Sequence, residues 1–131
     1  MSLPRKLTRD EILAATKEEL RIAIAKQLGC SVSWNRDGHP ICDCDTDFGV
    51  WPHWDSTHKD GRLYDWPNDI EAVYALEEQF TDYTSRRRYW SNLSRVVSPS
   101  AAASDSERGW ALLHATAEQR CRAWMLVKHE G

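Results

Sequence analysis

From Ile12 to Leu28 the apolar residues Ile12, Leu13, Leu20, Ile22, Ala23, Ile24 and Leu28 recur at three-to-four spacing and stop at Gly29, a residue favoured just past a helix end. The pattern predicts a helix over about 9–28. A second stripe, Ile70, Val73, Leu76 and Phe80, predicts a helix over about 69–80 with carboxylates in its first turn and on its outside. A third, Ala117, Cys121, Trp124, Met125 and Lys128, predicts one over about 117–128. Each is preceded by a hydroxyl or amide residue with Glu or Gln three positions on: Thr8 with Glu11, Asn68 with Glu71, Thr116 with Gln119. In that spacing the two side chains satisfy two orphan backbone donors reciprocally, which marks a helix start. The apolar stripes are read as core.

Strand signals are shorter. Ser31-Val32-Ser33-Trp34 and Pro40-Ile41-Cys42 flank Asn35-Arg36-Asp37-Gly38, whose Asp-Gly pair suits a tight reversal, so a hairpin is expected. Residues 88–97 are ambiguous: Trp90, Leu93 and Val97 fit helical spacing, whereas aromatic and β-branched content favours a strand. Trp110 to His114 reads as a last strand feeding the third helix. Small and polar residues from Ser98 to Ser106 predict a flexible loop over about 98–107, and a long aromatic loop is expected over about 45–67.

Composition narrows the classes. A chain of 131 residues is long enough for one domain with a core that needs neither disulfides nor a structural metal. Seventeen Lys and Arg against twenty Asp and Glu leave a net charge of −3, which names no partner. No apolar run nears the roughly 20 residues that span a bilayer, and MSLPRKLTRDEIL turns polar before any signal-type core, so a cytoplasmic location is expected. There Cys30, Cys42, Cys44 and Cys121 stay reduced and are not a disulfide framework.

A leading helix ending Ala25-Lys26-Gln27-Leu28-Gly29, a Pro- and Trp-rich approach to Asn68-Asp69-Ile70-Glu71-Ala72, and a closing Ala115-Thr116-Ala117-Glu118-Gln119-Arg120-Cys121-Arg122-Ala123 resemble, in order, the phage ABA sandwich domain family. The resemblance implies one layered α/β sandwich with antiparallel strands, encoded by a phage or prophage and located in the host bacterial cytoplasm. It supplies no catalytic residues. The segment from Asp43 to Tyr64 and the loop from Ser98 to Ser106 depart from the family's pattern.

Four chemistries can be set against these elements. Cys42 and Cys44, two apart on a strand, would present both sulfurs on one face, with His39 and His53 as further ligands for zinc; small, partly buried thiols are the competing reading. Asp43, Asp45 and Asp47 open like a calcium loop, but Phe48 stands where Gly is needed and Trp54 where a bidentate Glu should close the site. Arg86, Arg87, Arg88, Tyr89 and Trp90 place guanidiniums beside aromatics, a combination that neutralises phosphate and stacks bases; Arg120, Arg122 and Lys128 extend it only if the third helix is adjacent. Seven Trp are many for this length, and Trp51, Trp54 and Trp66 cluster with Tyr64 before the second helix. No phosphate loop, nucleophile elbow or His-Glu-x-x-His helix is present, and His114 reads as a packed or capping residue.

The sequence reading is therefore a single α+β domain over 1–131, an antiparallel sheet of about 3–5 strands with three helices. The expected function is non-enzymatic binding of a protein, for a phage a host protein such as a defence component, through Trp51, His53, Trp54, Asp55, Tyr64 and Trp66. Single-stranded nucleic acid bound through Arg86 to Trp90, and zinc bound through Cys42 and Cys44, are the alternatives, with no other cofactor and no membrane partner.

Overall fold

The C-terminal helix is buried over most of its length, and the fold is arranged around it. Ala117, Cys121, Ala123, Trp124, Met125, Leu126 and Val127 are all buried, together with the charged Arg120, as befits a helix enclosed by others. A computed structural model describes residues 7–29, 32–34, 36–42, 63–97 and 104–130. The helices are α1 (Arg9–Ala14), α2 (Lys17–Gln27), α3 (Ile70–Glu77), α4 (Tyr83–Val97), α5 (Asp105–Leu113) and α6 (Ala117–Glu130), with a 3-10 turn at Trp66–Asn68. Helices α1 to α4 and the 3-10 turn pack against α6, and α5 packs against α4. The strands β1 (Val32–Trp34) and β2 (Pro40–Cys42) pair antiparallel, Val32 opposite Cys42 and Trp34 opposite Pro40.

The hairpin falls where expected, with Gly38 at φ +80° in the reversal, a conformation that favours glycine. The sandwich does not. Among the described residues there are six α-helices and one two-stranded sheet, which overturns the α+β sandwich of 3–5 strands with three helices. Both further strand candidates are helical. Residues 88–97 form most of α4 because Tyr89 and Leu93, four apart, are buried while Trp90 stays half exposed, and a strand would alternate its faces instead. Trp110 lies inside α5, and residues 104–107 of the expected flexible loop form that helix's capped start.

Local chemistry sets the boundaries. Thr8 and Thr116 act as anticipated, each accepting a backbone N–H from the residue three on while Glu11 or Gln119 returns the bond. The expected single helix over 9–28 is broken. Thr16 forms a second box with Glu19, and Ala15 and Thr16 are both extended, ψ 143° and 166°. Gly29 ends α2 at φ +90°. The cap of α3 is Asp69, which accepts from Glu71 N and Ala72 N at 3.1 and 3.3 Å, rather than Asn68. Asn68 instead belongs to the 3-10 turn, where its amide donates to Asp65 and accepts from Lys17 Nζ at 2.8 Å.

Helix ends leave carbonyls without partners, and here arginines take them up. Arg122 donates to Leu13 O and Ala15 O at the end of α1, at 3.3 and 2.6 Å. Arg120 donates to Leu112 O and Ala115 O at the end of α5, at 3.5 and 3.3 Å. Arg86 Nε donates to Phe80 O just past α3 at 2.7 Å. Arg21 donates to Tyr64 O at 2.9 Å and to Leu63 O, fastening the entry to the 3-10 turn onto α2.

One ionic cluster joins α3, α4 and α6. Glu77 Oε2 accepts from Arg120 Nη1 at 2.8 Å and from the Tyr89 hydroxyl, while the Arg120 guanidinium lies 5.5 Å from the centre of the Tyr74 ring. Burial, then the hydrogen bond to Glu77, push the Tyr89 phenol far above its usual range. Burial does the same to the Cys121 thiol, which is free and stays protonated.

Candidate binding surfaces on α4 and α5

The sequence-predicted partner surface is largely outside the described residues, which include neither Trp51, His53, Trp54 nor Asp55. Its two described members do not form an exposed anchor. Trp66 is fully buried, and Tyr64, half-buried, sits with its ring 6.0 Å from that of Trp66. The sequence groups Trp66 with Trp51 and Trp54 ahead of α3 as a surface cluster; the 3-10 turn instead inserts it between α2, α3 and α6.

Of the zinc set, Cys44 and His53 are outside the described residues, as are Asp43, Asp45 and Asp47. His39 is exposed just before β2, and Cys42 closes that strand. Among the described residues no three His, Cys, Asp or Glu side chains converge on a point that could hold an ion.

The arginine cluster is brought together, but differently from the sequence expectation. All of Arg86 to Trp90 lie on α4, a helix with four arginines and no acidic residue on a chain of net charge −3. Arg86 is tied to Phe80 O, and Tyr89 is core. What remains outside is a face of two columns. Tyr83, Arg87 and Trp90 follow at i, i+4 and i+7, and Thr84, Arg88, Ser91 and Arg95 at i, i+4, i+7 and i+11 beside them. Tyr83 is 76% exposed and Trp90 49%. The guanidiniums of Arg87, Arg88 and Arg95 make no hydrogen bond or ion pair among the described residues.

A groove of about 310 Å³ runs between these arginines, floored by Asn92 and ended by Glu130. Asn92 is 2% exposed; its Nδ2 donates to Arg88 O at 2.9 Å and Glu130 Oε1 at 3.1 Å, while its Oδ1 has no partner among the described residues. Glu130 is also 3.7 Å from Arg9 Nη1. The anticipated extension onto α6 does not occur. That helix is adjacent, but Arg120 and Arg122 hold carbonyls and carboxylates, and Lys128 lies over the Phe80 and Trp124 rings at 5.4 and 5.3 Å.

Sequence reasoning missed the other surface. Helix α5 begins at Ser104, whose Oγ accepts from Glu107 N at 3.2 Å and hydrogen bonds Glu107 Oε1 at the same distance. That Ser-x-x-Glu spacing is the same kind of signal that marks the starts of α1 and α6. No residue of α5 is buried. Trp110 and Leu113, one turn apart, are 68% and 76% exposed, and the His114 ring packs against Trp110 at a 38° tilt with centroids 4.3 Å apart. With so little packing, α5 leans on its cap: Ser104→Ala is expected to cost about 1 kcal/mol. The loss should appear as faster amide exchange confined to α5, with exchange in α6 unchanged.

Comparison with protein-family models, with curated proteins and with solved structures finds no match to this chain. No helix among the described residues is long and apolar enough to cross a membrane.

Proposed function

We propose that this protein is a non-enzymatic binding module that recognises another protein through the outer face of α5. The observation that carries the reading is the pairing of Trp110 with Leu113, 68% and 76% exposed at i and i+3 on a helix that buries nothing of its own. A tryptophan offers large rigid apolar area with one polar handle, and such residues dominate binding energy when a partner encloses them. His114, packed against Trp110, restricts the indole before any partner arrives, which lowers the ordering cost of association. Binding is favoured over catalysis because the described groups pushed most strongly from their usual ionisation, Tyr89 and Cys121, are buried in the core rather than lining a cleft.

The motif order that resembles phage proteins makes a bacterial lysate the natural source of partners. Tagged protein and a Trp110→Ala, Leu113→Ala variant are compared by quantitative mass spectrometry, and the enriched protein is then purified and titrated against both. A loss of about thirtyfold or more is expected for the variant, the size of a hot-spot truncation. Circular dichroism should be unchanged, since neither side chain is buried. Equal affinity of the partner for both forms would place its binding elsewhere.

A further inference from the structure

We propose that the exposed face of α4 is a second site, which binds the sugar-phosphate backbone of a single-stranded nucleic acid and stacks its bases. Charge is the first ground. Among the described residues, the arginines that grip carbonyls do so at a helix end or a chain entry, whereas Arg87, Arg88 and Arg95 line one groove with no counter-charge bound to their guanidiniums. The one carboxylate there, Glu130, is already engaged by Asn92 and faces Arg9. Three unneutralised guanidiniums within three turns repel one another, and a polyanion relieves that repulsion with release of its own counterions.

Aromatic placement is the second ground, and it selects the strand type. Tyr83 and Trp90 flank Arg87 on the same face, seven residues or about 10 Å apart along the helix axis. Unpaired bases stack on such rings, whereas the bases of a duplex are already stacked and turned inward. The hydroxyls of Thr84 and Ser91 line the groove beside the arginines as further donors to phosphate, and the Asn92 Oδ1 at the groove floor, unpartnered among the described residues, is an acceptor for a base amino group. An anionic membrane suits the face less well. Its apolar residues, Tyr89 and Leu93, are turned into the core, and what is left outside has no aliphatic side chain to insert among acyl chains.

The test is fluorescence anisotropy of a labelled 12-nucleotide poly(dT), with the full chain, over a series of salt concentrations. Three phosphate contacts predict a log–log salt slope of about −2, so that doubling the salt weakens binding about fourfold. Arg87→Ala, Arg88→Ala, Arg95→Ala together should abolish that slope and most of the binding, and the three Lys replacements should retain it. Trp90→Ala should weaken binding about tenfold while leaving the slope intact, with Trp90→Phe near the parent. All of these positions are exposed, so circular dichroism should not change. Trp110→Ala, Leu113→Ala should bind the oligonucleotide like the parent, which separates this site from the one on α5. The proposal is overturned by absence of binding at low salt, by binding that survives the triple alanine variant, or by equal affinity for a duplex of the same length. Inorganic pyrophosphate displacing the oligonucleotide at equal concentration, or binding to phosphatidylserine vesicles in place of it, would overturn it as well.

Discussion

Arg120→Ala is expected to lower stability by about 3–5 kcal/mol, the loss typical of removing one partner from a buried ion pair. Domains of this size have only about 5–15 kcal/mol in total, so the variant loses a large share of its stability. The cost has three sources that act together. Glu77 would be left 19% exposed with its cationic partner gone and only the Tyr89 hydroxyl to offset burial. Leu112 O and Ala115 O would lose the donor that closes α5, and the Tyr74 ring would lose the guanidinium over its face. Urea unfolding followed by circular dichroism measures the loss. A double replacement, Arg120→Met with Glu77→Leu, should recover the part that comes from the stranded Glu77 charge, because an apolar pair leaves none. A midpoint unchanged in Arg120→Ala would remove this cluster from any account of the fold.

Two buried groups set an alkaline limit. Tyr89 and Cys121 both hold their protons more tightly folded than unfolded, chiefly through burial. The stability they contribute is intact below the ordinary values of 9.0 for the thiol and 10.0 for the phenol, and it declines as pH rises beyond them. Tyr89→Phe should flatten the part of that decline above the phenol value. An identical alkaline profile in Tyr89→Phe would show that the phenol is not what fails.

Which parts of this architecture were legible in advance follows from the range of each force. Helix caps are local, and Thr8 and Thr116 were correctly identified from their spacing with Glu11 and Gln119. Thr16 with Glu19 has the same spacing but lies inside an unbroken apolar period, since Ile12, Leu20 and Ile24 stay on the core side across the break and hide it. Residues 88–97 were ambiguous because β propensity largely reports a side chain's neighbours, and those neighbours are set by α6, distant in sequence. The arginine cluster was visible as a run, but its membership was not. Arg95 joins Arg87 and Arg88 only once the segment is a helix, and Arg86 leaves the set only once Phe80 O is beside it. The aromatics show the limit most plainly. Composition counts Trp66 and Trp110 alike, yet one is fully buried and the other 68% exposed, because that depends on which elements converge around each.

That difference makes Trp66 the sharper test of the two. Trp66→Ala should destabilise by about 3–5 kcal/mol, the usual cost of truncating a large aromatic in a core. A surface anchor would change stability by no more than about 0.5 kcal/mol on the same replacement. The indole is held by the turn Trp66–Asn68, which meets α2, α3 and α6, so a cavity there loosens three helices at once. Its Nε1 has no acceptor among the described residues, and a buried donor left unpaired costs about 1–3 kcal/mol. Trp66→Phe removes that donor while keeping most of the ring, so its loss of packing and its gain from the missing N–H oppose each other. The expected net effect is within about 1.5 kcal/mol of the parent. Differential scanning calorimetry of the two variants separates the contributions: a large drop for Ala with a small one for Phe assigns Trp66 to packing. If Ala were tolerated and the affinity for a partner fell instead, Trp66 would belong to a contact surface and the binding face would lie at the 3-10 turn rather than on α5.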